Sequence, residues 1–359
     1  MISPDALAYD GWVLLGFGGP EHESDVLPFM ERVTAGRGIP PERLAEVGKH
    51  YITLGGVSPI NQQNRDLLAA LTTALRGLGI DLPAALANRN SPPYVPDVLA
   101  SLAGRVSGPV RLLAVATAAY AGYSSCRQYR EDLELAVAGL PAGLDVRKLP
   151  PYYDLPGFTV AIVESLLASL PADLDLAAGT TRLVFTTHSI PTAAARAAGP
   201  DGDAYLAEHR WVADRVAEGI AAATGVRLDW DLVFQSRSGP PTVPWLEPDV
   251  NDAVRQYAAA GFSDVVLAPI GFISDHVEVI WDLDTQARST AEDCGIRLIR
   301  TPTVGTHPAF VADLAARIAT ELRTGSPEPA PGQFCFGGCC ANPRRGAPVV
   351  PGTAREVVR

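Results

Sequence analysis

The sequence predicts an α/β protein made of two similar doubly wound halves, each with a parallel sheet, and a cleft between them. Three observations carry this reading. Short β-rich apolar runs alternate with longer amphipathic segments, which is the pattern of parallel strands covered by helices. Four such runs fall on each side of the stretch PADLDLAAGT at 171–180. At 359 residues, the chain is long for one core and sufficient for two.

Taken in order, strands are expected at residues 12–17, 84–87, 111–116 and 146–149, then at 182–186, 231–234, 265–270 and 296–300. Helices are expected at 58–78, 123–138, 158–169, 205–223, 250–260 and 275–293, and a last one over about 308–323. GGVSPIN at 55–61 reads as a helix start with Ser58 as N-cap and Pro59 at the first helical position. The same hydroxyl and free N–H groups suit a carboxylate. The domains are set at 1–175 and 176–323, with the last helix packing back on the first half. Residues 324–359 form a Pro-rich connector (GSPEPAPGQF) and a Cys-rich tail (CFGGCCANPRR).

Hydrophobic residues make up 47 % of the chain and charged residues 19 %, a globular balance. No apolar run approaches the roughly 18 residues of a membrane span. The short apolar stretch near the N-terminus has no basic leader and reads as the first strand, so a cytoplasmic address is expected. A net charge of −11 with no basic stripe argues against nucleic acid. An anionic ligand would have to be received by local cations and hydrogen-bond donors against that global field.

In open α/β sheets, ligands gather beyond the carboxyl ends of the strands. The informative loops all follow expected strands: GFGGP, NRN, ATAAYAGYSSCRQY, THSIP, QSRSGPPTVPWLEPDV and PIGFISDHVEVIWDLD. GFGGP is not a dinucleotide fingerprint, because Glu21 stands where the third glycine belongs and Asn88-Arg89-Asn90 supplies no ribose-binding acid. A tight turn that lets a flat ligand approach the backbone is the better reading. The Pro-rich loop with Arg237 and Trp245 suits either a wall beside a planar ligand or a structural loop with the indole buried.

Two features carry chemistry. His188 lies at the end of an expected strand, where a neutral imidazole can take a proton or bind a divalent metal. At about 100° per residue, Asp275, Glu278 and Asp282 would fall within roughly 60° on one helix face. Such a ladder of carboxylates binds Fe²⁺ loosely enough to pass it on, and also suits protons. A solvated acidic face is the plainer alternative.

The five cysteines do not form a disulfide framework. Cys335, Cys339 and Cys340 crowd the tail. Zinc usually prefers paired Cys-x-x-Cys knuckles. A [2Fe–2S] cluster wants four thiolates, for which Cys126 is the natural distant fourth. Cys294 reads as a small core filler.

Together these motifs resemble the ferrochelatase family, specifically its actinobacterial, coproporphyrin-using branch. The similarity runs over about residues 12–323, and THSIP with SDHVE at this separation is its most specific part. The resemblance implies the chelatase fold, two Rossmann-like domains around a porphyrin cleft, and insertion of Fe²⁺ into coproporphyrin III in haem biosynthesis. It implies that His188 and Glu278 are the active-site pair, with Asp282 continuing the metal path. It places Arg37, Tyr51, Ser58, Phe17 and Tyr129 at the porphyrin; some relatives carry Tyr or Met where Phe17 stands. It also supports a [2Fe–2S] cluster on Cys126, Cys335, Cys339 and Cys340. The expected partners are the porphyrin, ferrous iron and a transient protein that delivers or accepts the tetrapyrrole. Rival readings are a protoporphyrin IX ferrochelatase, a cobalt or nickel chelatase, and a tetrapyrrole carrier without turnover.

Overall fold

The computed structural model describes residues 7–36, 41–140, 143–239, 241–325 and 339–341. The first strand, Gly11–Gly16 (β1), is buried along its whole length, as a central parallel strand covered on both faces must be. It pairs in parallel with Ala84–Asn88 (β2) on one side and Val110–Ala116 (β3) on the other, and Leu144–Lys148 (β4) completes the sheet. The second sheet repeats the plan. Thr181–His188 (β5) is flanked by Trp230–Gln235 (β6) and Asp264–Ala268 (β7), with Arg297–Arg300 (β8) beyond β7. The strand orders are β2-β1-β3-β4 and β6-β5-β7-β8.

Both sheets therefore reverse direction of winding at one place, between β1 and β3 and between β5 and β7. Open sheets hold their ligands at the strand C-terminal ends of such a reversal. The loops after β1, β3, β5 and β7 are consequently the ones to inspect.

The helices of the first half are Val26–Val33 (α1), Pro41–Thr53 (α2), Ile60–Gly77 (α3), Val95–Ala103 (α4), Gln128–Ala138 (α5) and Pro156–Ser169 (α6). The second half carries Thr192–Arg196 (α7), Ala204–Thr224 (α8), Val250–Ala259 (α9), the single turn Val277–Val279 (α10), Arg288–Asp293 (α11) and Pro308–Thr324 (α12). π-helical turns precede α5 at Tyr123–Arg127 and join α10 to α11 at Ile280–Ala287. The expected single helix over 275–293 is thus three segments, and Asp275 lies outside all of them. The sequence reading also missed α1, α2, α4 and α7.

One apolar cluster is shared by the facing sides of both sheets. Leu14 and Val115 of the first and Phe185 and Val266 of the second meet α3, α6, α8 and α12 there. Each sheet has a second, separate apolar layer on its other face. The last helix does cross to the first half. It lies against α3 and α6, the Ala8 N–H donates to the Leu322 carbonyl at 2.8 Å, and the Gly157 N–H donates to Asp313 at 2.7 Å. No helix among the described residues is long and apolar enough to cross a membrane.

The glycines of GFGGP answer to the protein itself. Gly18 has φ +84°, and a Cβ there would meet Ser91 Oγ at 2.5 Å; a Cβ on Gly19 would meet the Ser58 Cβ at 2.6 Å. The loop is tight because neighbouring loops press on it, not because it leaves room for a ligand. Ser58 is likewise not an N-cap. The helix begins at Ile60, no side chain caps it, and Ser58 is buried with its N–H donating to the Pro20 carbonyl at 2.8 Å.

Candidate active site

His188 is the last residue of β5, and Glu278 stands in α10 just past the loop that leaves β7. The reversal of strand order brings the two together: His188 Nε2 is 3.8 Å from Glu278 Oε2, with the side chains 34 % and 45 % exposed. The imidazole is oriented by its other nitrogen, which lies 2.5 Å from the Ser189 carbonyl. A carbonyl oxygen can only accept, so Nδ1 carries the proton and Nε2 keeps its lone pair in the neutral ring. Burial pulls the His188 pKa down. The hydrogen bond and charge of Glu278, the Ser189 carbonyl and the charge of Asp282 outweigh it and hold the value above that of a free imidazole.

Asp282 lies in the π-helical turn after α10. Burial, partly offset by the Ser236 hydroxyl and added to by the charge of Glu278, pushes its carboxyl up to about 6. Ser236 Oγ donates a short hydrogen bond to Asp282, and Gln235 Nε2 lies 3.4 Å from the same oxygen. His276, two residues before Glu278, is held below its ordinary pKa by burial. Of the side chains expected at the metal, His188 and Glu278 face each other and Asp282 lies near enough for its charge to act on His188, but the three do not gather closely enough to hold one ion.

Asp275 does not join them. Its carboxylate takes a two-pronged ion pair from Arg300 at the end of β8, and its backbone N–H donates to Gln63 Oε1 at 2.8 Å. The stripe of three acids is therefore two. The helix assumed for them begins only at Val277, and its π-helical continuation follows i→i+5 rather than i→i+4 bonding.

The porphyrin-side expectations divide. Tyr51 and Phe17 lie on the Glu278 side of the site, Tyr51 buried and Phe17 exposed. Tyr51 packs with Phe29 and Val277, and burial followed by the charge of Glu278 raises its pKa well above the ordinary phenol value. Phe17 is 37 % exposed and meets Phe29 edge to face at 6.2 Å. Ser58 is buried beneath GFGGP, so its hydroxyl is not displayed at a surface. Tyr129 departs from expectation: it is 4 % exposed in the outer layer of the first sheet, with the Arg89 guanidinium 4.0 Å above its ring. Arg89 is in turn paired with Asp132 at 2.5 Å. Arg37 lies outside the described residues.

Sequence reasoning passed over several contributors. Ser236 and Gln235 were visible as polar residues at the end of β6, the position that had singled out His188. Tyr205 of α8 donates to the His188 carbonyl at 2.8 Å and lies 2.9 Å from Thr187 Oγ1. Thr187 Oγ1 is also 2.9 Å from Nε2 of His209, a buried ring whose pKa falls to about 3. No local signal marks Tyr205 or His209, because they reach the site from a helix that runs behind β5. Trp245 packs over Gly239, where a Cβ would meet the indole at 2.3 Å, and the Pro191–Trp245 bridge ties the loop to the turn after His188.

Cys339 and Cys340 lie against the loop after β3. They are buried with Ala121 and Ala204, their sulfurs 3.7 Å apart. Gly199 N–H donates to Cys340 Sγ at 3.1 Å, Lys148 Nζ lies 3.6 Å from Cys126 Sγ, and Arg127 donates to the Cys339 carbonyl at 3.1 Å. Among the described residues no three His, Cys, Asp or Glu side chains gather closely enough to hold a single metal ion. Cys335 lies outside those residues.

A bilobal α/β fold with a basic imidazole facing carboxylates at a strand reversal defines the class of metal-inserting enzymes that work on large planar ligands. The sequence profile of the ferrochelatase family matches residues 9–322, and the chain belongs to that family. It is 49 % identical to the coproporphyrin III ferrochelatase of Streptomyces griseus subsp. griseus, over 94 % of this chain and 94 % of that protein. It is 47 % identical to the coproporphyrin III ferrochelatase of Propionibacterium freudenreichii, over 97 % and 98 %, and 48 % identical to that of Streptomyces coelicolor, over 94 % of each.

Proposed function

We propose that this enzyme inserts Fe²⁺ into coproporphyrin III, giving iron coproporphyrin in haem biosynthesis in the cytoplasm, and that the macrocycle lies in the cleft between domains 1–175 and 176–323. The observation that carries the reading is the His188–Glu278 pair, 3.8 Å apart at the strand reversal of the second sheet. The names of the Streptomyces and Propionibacterium relatives favour coproporphyrin III over protoporphyrin IX.

Metallation needs two pyrrole N–H protons removed and water stripped from the incoming ion. Neutral His188 accepts one proton at Nε2, the imidazolium that results is stabilised by Glu278, and the second proton leaves along the Glu278–Asp282 carboxylates. Glu278 and Asp282 offer oxygen ligands, which hold divalent iron without trapping it. Phe17 borders the porphyrin on the Glu278 side, with Phe29 and Tyr51 packed behind it, and Arg37 serves its carboxylates.

A tail-bound [2Fe–2S] cluster on Cys126, Cys335, Cys339 and Cys340 completes the reading. In its support, Cys126, Cys339 and Cys340 are buried, and the Gly199 amide and the Lys148 ammonium are directed at two of their sulfurs, as anionic thiolate sulfur demands. Such a cluster would supply one-electron chemistry or a structural clasp for the tail.

Anaerobic assays offering both porphyrins with Fe²⁺ test the substrate, and the same assay on His188→Ala tests the mechanism. General-base loss predicts a fall of about 10²–10⁴ in rate; wild-type turnover would remove His188 from the chemistry. For the cluster, the visible absorption of freshly purified protein disappears in Cys339→Ser, and unchanged colour excludes Cys339 as a ligand.

A further inference from the structure

Glu278 belongs by sequence to the second half, yet part of what holds it belongs to the first. The loop leaving β7 is gripped by α3: Ser274 Oγ donates to Asn64 Oδ1 at 2.9 Å, and the Asp275 N–H donates to Gln63 Oε1 at 2.8 Å. Asn64 and Ser274 are both buried. Immediately beyond, Val277 sits among Val26, Phe29, Met30, Leu44 and Tyr51 of α1 and α2. Three residues past Glu278, Trp281 stacks on His50 of α2, centroids 4.0 Å apart and planes 11° apart. Contacts from the first half therefore bracket Glu278 on both sides.

His188 is held in the opposite way. Its strand pairs with β6 and β7, its carbonyl accepts from Tyr205 and its ring nitrogen is fixed by Ser189. All of these belong to the second half. Glu278 is thus held from both halves, by the α3 contacts on one side and by Val279 in the outer layer of the second sheet on the other, whereas His188 is held by the second half alone.

We propose that Gln63 and Asn64 are positioning residues for Glu278, fixing its carboxylate relative to the wall that carries Phe17 and Tyr51 while the second half holds His188 opposite it. The inference rests on the proposed role of Glu278 in metallation. With the clasp intact, Glu278 keeps a fixed relation both to the wall bearing Phe17 and Tyr51 and to His188. With the clasp cut, the loop is free to follow the second half, and the carboxylate leaves its place relative to that wall.

Packing alone would make these residues matter for stability; positioning makes them matter for turnover through one carboxylate. The test uses single-turnover metallation of coproporphyrin III by Fe²⁺ under anaerobic conditions, with enzyme in excess so that slow rates remain readable. Gln63→Met removes the acceptor for the Asp275 N–H while keeping the length of the side chain; Gln63→Glu keeps an acceptor. Asn64→Leu removes the acceptor for Ser274, and Ser274→Ala removes its donor from the other side. Porphyrin affinity, from fluorescence quenching, and the unfolding midpoint are measured on each.

The expected result is a fall of at least tenfold in the metallation rate for Gln63→Met and Ser274→Ala, with porphyrin affinity changed less than threefold and with the rate restored in Gln63→Glu. In a Glu278→Gln background, Gln63→Met lowers the rate no further, because a residue acting through another has no effect once that other is removed. Additive losses in the double variant overturn the inference, as do wild-type rates in both Gln63→Met and Ser274→Ala. A Glu278→Gln enzyme that turns over at the wild-type rate instead overturns the role of Glu278 itself, which separates failure of the mechanism from failure of the clasp. Should Asn64→Leu not fold, Gln63→Met, at a half-buried position, and Ser274→Ala still decide the question.

Discussion

Ser236 presents its hydroxyl to Asp282 from a backbone that only glycine adopts freely. Its φ is +61°, and its Oγ makes a short hydrogen bond to the carboxylate. A left-handed conformation costs a non-glycine residue roughly 1–2 kcal/mol, so local strain is retained at the end of β6 where it orients a functional acid.

Replacing Ser236 separates those two effects. The hydroxyl lowers the Asp282 pKa, against burial, which raises it to about 6. Ser236→Ala is therefore expected to move the Asp282 titration above 6, and Ser236→Gly to do the same while relieving the backbone. Carboxyl-carbon NMR of the two variants reads the shift. An Asp282 titration that moves down in either variant contradicts the assignment.

Asp282 itself is held at a cost to the fold. A carboxyl near 6 against an ordinary 3.8 binds its proton more tightly in the folded chain than in the unfolded one. The folded state is thus favoured at acid pH and loses stability as pH rises from about 4 through 6. Above that window the ionised, half-buried acid costs up to about 3 kcal/mol. Asp282→Asn should accordingly raise the unfolding midpoint at pH 7.5 and leave it little changed near pH 4, while metallation falls. Denaturant titrations at the two pH values give the comparison, and a variant less stable at pH 7.5 would refute it.

The pH profile of catalysis follows from His188. Its pKa stands above the free value because Glu278 and Asp282 outweigh burial. As a base it works when neutral, so kcat/KM should climb with pH through a value above 6.5. In Glu278→Gln the imidazolium loses its partner, and the acid limb should move to lower pH even as the plateau rate drops. An acid limb that stays put would mean the limb reports another group.

How much of this was legible in the chain depends on where each signal resides. All eight strands were visible: the central ones are short buried apolar runs that need no partner to be recognised, the edge strands β4 and β8 mix apolar with charged residues, and the end of β5 gave away His188. Helices α1 and α2 were missed, although their residues build the pocket around Val277. The run of acids was read on a uniform helix, and the π-helical turns after Val279 together with the Arg300 pairing of Asp275 removed one member. The resemblance placed Tyr129 at the porphyrin, but its side chain faces the outer layer under Arg89. Contacts between the halves, such as Asn64 to Ser274, link positions 210 residues apart and leave no mark on local pattern.

Gly157 shows what such a long-range contact demands. It opens α6, and a Cβ there would lie 2.2 Å from the Ala309 carbonyl oxygen and 2.7 Å from the Asp313 Cβ. Both belong to α12, the helix that crosses back to the first half. The Gly157 N–H donates to Asp313 at 2.7 Å, so α6 and α12 are drawn together by a hydrogen bond only a glycine admits. In an isolated helix Gly→Ala gains about 1 kcal/mol. Here the added methyl meets backbone, which cannot rotate aside, and α12 must shift against α3 and α6; overpacking of this kind costs about 1–3 kcal/mol. Gly157→Ala is therefore expected to lower the unfolding midpoint by a few degrees despite its better helix propensity. Thermal unfolding followed by circular dichroism decides the sign: a stabilised variant would mean that α6 and α12 lie farther apart than 2.2 Å from carbonyl to methyl allows.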